Sequence, residues 1–185
     1  FDISLRKGNN QKHEFAAGIS ALGLDATAEG PLNPATGSSY LVNYRYSSLD
    51  LLNNLGIIDF GGIPKYQDGA YKLFMPTKKA GTFSFYGIGG YNGISQEYKD
   101  SLEENVIDKE VYNSGMFAQG VNHFMPISKN AYLKTSVNIS GTIQMSEGVN
   151  KDENKEWKTY YEEDFRMVNY RGATQLNLKI NFQNP

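Results

Sequence analysis

Apolar and polar residues alternate through much of this chain, and the alternation is clearest in residues 39–47. One side of that segment, drawn as an extended chain, carries Tyr40, Val42, Tyr44 and Tyr46. Asn43 and Arg45 fall on the opposite side. A period of two residues indicates a β-strand whose two sides lie in different environments.

A second clear strand covers residues 133–145. Its apolar side carries Leu133, Thr135, Val137, Ile139, Ile143 and Met145. Lys134, Ser136 and Asn138 belong to its polar side. The length suits a tilted strand that crosses a bilayer, which takes about 9–11 residues. Strands of soluble sandwiches more often have about 5–6 residues.

Eight such strands are predicted, joined by two kinds of connection. The parity of the apolar positions changes at Leu22 and Gly23, which a tight hairpin or a β-bulge would explain, and a hairpin is the preferred prediction. Beyond it, short turns are predicted at residues 31–38, 76–81 and 126–130. Long polar loops are predicted after residue 47 and at residues 92–112 and 146–164. Short turns at one end and long loops at the other are typical of bacterial outer-membrane barrels.

The predicted fold class is therefore all-β: an antiparallel up-and-down meander that forms a segment of a transmembrane outer-membrane β-barrel. Two smaller elements lie outside the eight strands. Residues 1–6 alternate over a short distance and are predicted as one short strand. Residues 48–56 place leucines at helical spacing before Gly56, which predicts one or two helical turns in the first long loop.

Composition narrows the possible functions. The net charge is −2 and the pI is about 5.7, so nucleic acid is not an expected partner. The chain has 13 Tyr and 10 Phe, which suit strands and the aromatic girdles of membrane barrels. A mean hydropathy of −0.51 does not oppose a membrane barrel, because half of each strand faces a polar interior.

Candidate chemistry in the sequence is sparse. The glycine-rich residues 87–93 lack the sixth glycine of a dinucleotide loop, and we interpret them as a strand end where chains approach closely. His13 and His123 are far apart in a chain without Cys, so no zinc spacing is present. The acidic residues in the second and third long loops lack the spacing of an EF-hand and are interpreted as solvated. We expect no cofactor, no metal and no enzymatic activity.

The alternation assigns candidate functional residues to two faces. The predicted lumen-facing residues are Asp25, Glu29, Asn43, Arg45, Lys134 and Asn138. Ion pairs inside the barrel, which only satisfy one another, are one role that stays open for them. The predicted lipid-facing or girdle residues are Tyr40, Val42, Tyr44, Tyr46, Val137 and Ile139.

Three segments together resemble a known family. They are Phe1-Asp2-Ile3-Ser4-Leu5-Arg6-Lys7-Gly8-Asn9, Glu29-Gly30-Pro31-Leu32 and Ser39-Tyr40-Leu41-Val42-Asn43-Tyr44-Arg45-Tyr46. In this order the chain is similar to TonB-dependent outer-membrane receptors, most of all to the subgroup with an N-terminal carboxypeptidase-regulatory-like domain. The resemblance implies that residues 1–10 end the plug domain and that residues 11–185 are barrel strands and loops.

The same resemblance implies a bacterial outer-membrane location and a transport function. The implied partners are the lipid bilayer, the protein's own plug domain, an unidentified scarce solute and, through the plug, a TonB-type energy transducer of the inner membrane. The plug body is not in the chain, and the final residues 182–185 lack a terminal aromatic residue, so we expect a fragment of a larger receptor. Eight strands are also enough for a small complete barrel with a structural, binding or hydrolytic role, and that alternative stays open.

Overall fold

The fold is known from a computed structural model, which describes residues 5–20, 23–47, 49, 56, 64–99, 106–152 and 154–178. The described residues form eight strands in one sheet, in the order β1-β2-β3-β4-β5-β6-β7-β8. Each strand pairs antiparallel with the next. The strands are β1 (Glu14–Ile19), β2 (Gly23–Asn33), β3 (Ser38–Ser47), β4 (Lys65–Pro76), β5 (Thr82–Lys99), β6 (Val106–Ser128), β7 (Ala131–Lys151) and β8 (Trp157–Leu178). The predicted antiparallel meander is confirmed.

The registers divide the side chains between two continuous faces. Val42 lies opposite Tyr71, and Tyr71 lies opposite Gly87 on the next strand, so one face can be followed across β3, β4 and β5. Arg45 lies opposite Asp68 on the other face. Because successive side chains of a strand point to opposite sides, the two faces keep the distinct compositions of the sequence pattern. We call them the apolar face and the polar face.

The first hairpin has the predicted form. Ser20 and Gly23 exchange two backbone hydrogen bonds of 2.9 and 3.4 Å, while residues 21 and 22 lie outside the described residues. Ile19 then lies opposite Leu24 on one face, which explains the change of parity in the sequence.

The short turn predicted at residues 31–38 is shorter still. β2 continues to Asn33, with a register shift between Pro31 and Asn33, and only residues 34–37 form the turn. β1 pairs with β2 no further than Glu29, so Pro31 lies at an edge of the sheet, where a proline is tolerated within a strand. Turn residues in the sequence therefore mark the bulge as well as the turn.

The prediction of long loops at residues 92–112 and 146–164 is wrong. Residues 92–99 and 106–112 belong to β5 and β6. Residues 146–151 and 157–164 belong to β7 and β8. Polar side chains do not prevent pairing, because the backbone supplies the hydrogen bonds of the ladder. The connection between β7 and β8 is only residues 152–156, so loop length does not separate the two ends of the sheet there.

Other predictions lie partly or wholly outside the described residues. Leu5 and Arg6 belong to no strand, and the rest of the predicted strand at residues 1–6 is not described. Of the predicted helical turns at residues 48–56, only Leu49 and Gly56 are described; Gly56 has a φ of 68°, which a glycine cap requires.

In the described residues the sheet is a single layer with almost no core. Leu41, at 7% exposure, is the one buried hydrophobic residue among them. Many large apolar side chains of the sheet are exposed; Val137 is 61% and Tyr170 is 79% exposed. In the part of the chain that the structure describes, no helix combines the length and apolar character needed to cross a bilayer.

Candidate functional site

The apolar face brings together the residues predicted to contact lipid. By register it carries Tyr40, Val42, Tyr44, Tyr46, Val137 and Ile139. Between β4 and β8 this face forms an open groove of about 580 Å³, lined in part by Tyr71, Phe85 and Tyr170. That these residues contact lipid stays a prediction.

On this face, glycines make room for aromatic rings of the neighbouring strands. A Cβ built on Gly87 would lie 2.3 Å from Cε1 of Tyr71, and one on Gly141 would lie 2.6 Å from Cε1 of Phe117. Each ring therefore lies across the backbone of the neighbouring strand. Residues 87–93 allow the predicted close approach, but they lie inside β5 and not at a strand end, which corrects that part of the interpretation.

The polar face carries the six residues predicted to face the lumen, and it pairs several of them internally. Arg45 binds Asp68 with N···O distances of 2.7 and 2.8 Å, and Asp25 lies opposite Arg45 on β2. The amide of Asn43 donates a hydrogen bond of 2.9 Å to Oγ1 of Thr27. These contacts favour a structural role for the group near β2 and β3.

The remaining candidates on this face lie far from that group. The hydroxyl of Tyr86 donates a 2.5 Å hydrogen bond to Oδ1 of Asn138, four strands away from β3. Lys134 lies over the ring of Tyr132, 5.4 Å from its centroid, and lines an open cavity of about 700 Å³ near the short turns. The structure therefore does not bring the six lumen candidates together into one site.

A segment before β1 lies against the polar face. We call residues 5–12 the N-terminal arm. Arg6 forms two hydrogen bonds of 2.6 Å with the two carboxylate oxygens of Glu29, and the backbone N–H of Asn9 donates a third, of 2.8 Å, to the same carboxylate. The ammonium of Lys72 donates a hydrogen bond to the carbonyl oxygen of Leu5. Glu29 is only 9% exposed as a result.

A glycine allows the arm to come this close. A Cβ on Gly8 would lie 1.9 Å from the carbonyl oxygen of Tyr40, so any larger residue would push the arm away from β3. Sequence reasoning assigned Glu29 to the polar face but missed Arg6, Asn9 and Lys72 as its neighbours. The one available signal was the run Arg6-Lys7-Gly8-Asn9, in which cations and a glycine precede the first strand.

The two histidines have ordinary contacts. Nδ1 of His13 lies 3.1 Å from the hydroxyl of Tyr40, and Nε2 of His123 lies 2.6 Å from the carbonyl oxygen of Ala80 while the ring stacks on Phe83. Among the described residues, no three His, Asp or Glu side chains are placed to share a metal ion.

Within the described residues, the predicted acidic loops belong to strands, apart from one ordered hairpin connection. Oδ1 of Asp152 accepts hydrogen bonds of 2.8 and 3.0 Å from the backbone N–H groups of Asn154 and Glu156. Its other oxygen binds Lys158 at 2.8 Å. These contacts lower the pKa of Asp152, with the hydrogen bond from Lys158 as the largest cause. The carboxylate organises its own hairpin.

Comparisons with protein-family models, with curated proteins and with solved structures found no match to this chain. The resemblance to TonB-dependent receptors, and the location and partners that it implies, therefore stay predictions.

Proposed function

We propose that this chain forms part of the wall of an outer-membrane transport receptor that takes up a scarce solute with energy from an inner-membrane transducer. The observation that carries the proposal is the uncovered apolar face of a single-layered sheet. A sheet in water buries its apolar side against a second layer, and open apolar surfaces of this extent mark contact with a membrane or a partner. A bilayer supplies the missing layer.

The apolar face is free of charge over most of the height of a bilayer band. Along β7 from Leu133 to Gly141, and along the paired part of β8 from Leu176 to Val168, no Asp, Glu, Lys or Arg lies on this face; Arg166, opposite Ile143, is the next charge. Eight residues of β7 extend for about 27 Å, which is about 19 Å along the normal at a tilt of about 45°. Outer-membrane barrels present an apolar band about 25 Å tall.

The long strands extend beyond this band at the end opposite the short turns. Glu147 and Glu162 lie opposite each other on the apolar face beyond Ile143, and Glu97 pairs with Lys109 at 3.4 Å in the same region. Such charges belong in water. We therefore orient the short turns towards the periplasm and the extended ends of β5 to β8 towards the outside of the cell.

The edges of the sheet favour an incomplete barrel over a small closed one. β1 has 6 residues and β8 has 22. Direct pairing of β1 with β8 would leave about 16 residues of the β8 edge unpaired, and at least about three of these would lie in the band from Val168 to Leu176, where unsatisfied backbone groups are very costly. Further strands of the same protein would satisfy that edge, which supports a larger receptor over a complete barrel of eight strands.

The N-terminal arm supports the presence of a plug. The arm binds Glu29 and Lys72 on the polar face, close to the turn at residues 34–37. A chain that leaves the interior of a barrel and enters its first strand at the periplasmic end would follow this path. The contacts are those expected of the last residues of a plug.

The test measures on which side of the outer membrane each end of the sheet is exposed. The chain has no Cys, so single cysteines can be introduced without a background from this segment. In the full-length protein in intact cells, Asn154→Cys at the β7–β8 connection should react with a maleimide that cannot cross the outer membrane. The matched variant Lys78→Cys in a short turn should react only after permeabilisation. Equal labelling of both in intact cells, or recovery of the protein outside the outer membrane, would contradict the proposal.

A further inference from the structure

A cleft on the polar face lies where the strands extend beyond the apolar band. Its open volume is about 510 Å³, and its walls include Tyr112, Tyr160, Tyr161, Glu110 and Gln96. We call it the tyrosine cleft. The three tyrosines are between 41% and 52% exposed, so their rings are available to a ligand.

A β-bulge forms one wall of the tyrosine cleft. Tyr161 lies opposite Gly148, but the next pair towards the hairpin tip is Thr159 with Val149, which leaves Tyr160 as an extra residue. Because a bulge interrupts the alternation, Tyr160 and Tyr161 both line the cleft. A Cβ on Gly148 would lie 2.6 Å from Cζ of Tyr160, so the glycine allows the ring to lie across the strand.

Carboxylates surround these rings. The hydroxyl of Tyr160 lies 3.4 Å from Oδ1 of Asp108 and 3.3 Å from Oε1 of Glu110. The pKa of Tyr160 is raised by desolvation and then by these two negative charges, and the pKa of Tyr161 is raised chiefly by its hydrogen bond to Glu163. No Lys or Arg is among the described residues that line the cleft. The cleft is therefore both aromatic and negative.

We propose that the tyrosine cleft binds an organic cation, namely an alkylammonium group such as one end of a polyamine. Aromatic faces attract cations through their quadrupole, and carboxylates accept the N–H groups of an ammonium in charge-assisted hydrogen bonds. A bare metal ion fits poorly, because no three acidic or His side chains of the described residues are placed to share one. A neutral sugar would use the rings but would gain nothing from the excess negative charge. The inference rests on the proposed function only for the side of the membrane that the cleft faces.

The test is titration of the full-length protein, purified in detergent, with spermidine in a calorimeter. Glu110→Gln removes a carboxylate of the cleft and should raise Kd about fivefold, the effect of one partly exposed ion pair. Glu162→Gln removes the same charge from the opposite face, where Glu162 pairs with Glu147 of the cleft wall, and should raise Kd clearly less than Glu110→Gln does. Gly148→Ala should weaken binding while the fold is kept, because the added methyl group meets the far end of the Tyr160 ring and not backbone.

Salt and a neutral probe separate the proposal from its competitor. Spermidine binding should weaken as the ionic strength rises, and a neutral oligosaccharide should not compete with it. Absence of spermidine binding, equal effects of Glu110→Gln and Glu162→Gln, or competition by the oligosaccharide would each overturn the proposal. Labelling of Asn154→Cys in intact cells tests the outer-membrane orientation separately, so failure of the cation site and failure of the proposed function are distinguishable.

Discussion

An arginine placed at Val137 gives the sharpest test of which face contacts lipid. Val137 is 61% exposed, and its cross-strand neighbours are Val121 and Gly172, which offer a guanidinium no carboxylate. It lies four residues from Leu133, which is about 13 Å along the strand and about 9 Å along the normal at a tilt of about 45°. In an apolar band about 25 Å tall, this position is close to the midplane.

Val137→Arg should therefore lower the free energy of unfolding by about 2–4 kcal/mol, the cost of a midplane arginine on the lipid face of a barrel. Ser136→Arg puts the same side chain on the polar face at nearly the same depth and should cost much less. Met145→Arg stays on the apolar face but lies beyond the band and opposite Asp164, so its cost should be about 0–1 kcal/mol.

The assay is equilibrium unfolding by guanidinium of the full-length protein folded into phospholipid vesicles, followed by fluorescence and by the mobility of the folded band in gels. The three variants differ in face and depth but not in the residue introduced. Equal destabilisation by Val137→Arg and Ser136→Arg would refute the assignment of faces. Equal destabilisation by Val137→Arg and Met145→Arg would refute the position of the band.

Three further variants test the N-terminal arm, the β7–β8 hairpin and the contact of a glycine with an aromatic ring on the apolar face. Arg6→Ala should leave the carboxylate of Glu29 without its cation and weaken the attachment of the N-terminal arm by about 1 kcal/mol. Proteolysis of the arm should then be faster, and unchanged proteolysis would show that Arg6 does not hold the arm in place. The lowered pKa of Asp152 means that its charged form stabilises the hairpin above the ordinary value of 3.8, and that this contribution is lost as the pH falls through the lowered value. Amide exchange should show early loosening of the tip in acid, and Asp152→Asn should abolish that pH dependence. Gly87→Ala should displace the ring of Tyr71 and cost about 1–3 kcal/mol of unfolding free energy, whereas a neutral effect would show that the ring moves freely.

The strands inside the predicted membrane band could be found from the sequence because one face of each strand is mainly apolar and the other mainly polar. In residues 39–47 and 133–145 apolar and polar positions alternate, with Leu41 as an exception on the polar face, and the registers place the alternating residues as expected. The extended ends of the strands could not be found in the same way. Gln96 pairs with Glu110 across β5 and β6 on one face, and Glu97 pairs with Lys109 on the other, so polar residues occupy both faces and only the backbone hydrogen bonds specify a strand.

Long-range contacts and bulges also could not be predicted from the alternation of apolar and polar residues. Arg6 and Glu29 are separated by 23 positions, and no local rule connects a cation before β1 with a carboxylate inside β2. The parity rule assigns Tyr160 and Tyr161 to opposite faces, whereas the bulge opposite Gly148 lets both line one cleft. One inserted residue thus changes the composition of a face without changing the composition of the chain.

The pairing of every strand with its sequence neighbour has a consequence for how the protein assembles and diversifies. Each contact between strands closes a short stretch of chain, so hairpins can form one after another without waiting for distant segments, and such local topologies fold quickly. The same modularity means that a duplicated or deleted hairpin changes the circumference of the wall but leaves the remaining pairs intact. In the proposed receptor, the barrel could therefore be resized for a new solute in steps of one hairpin.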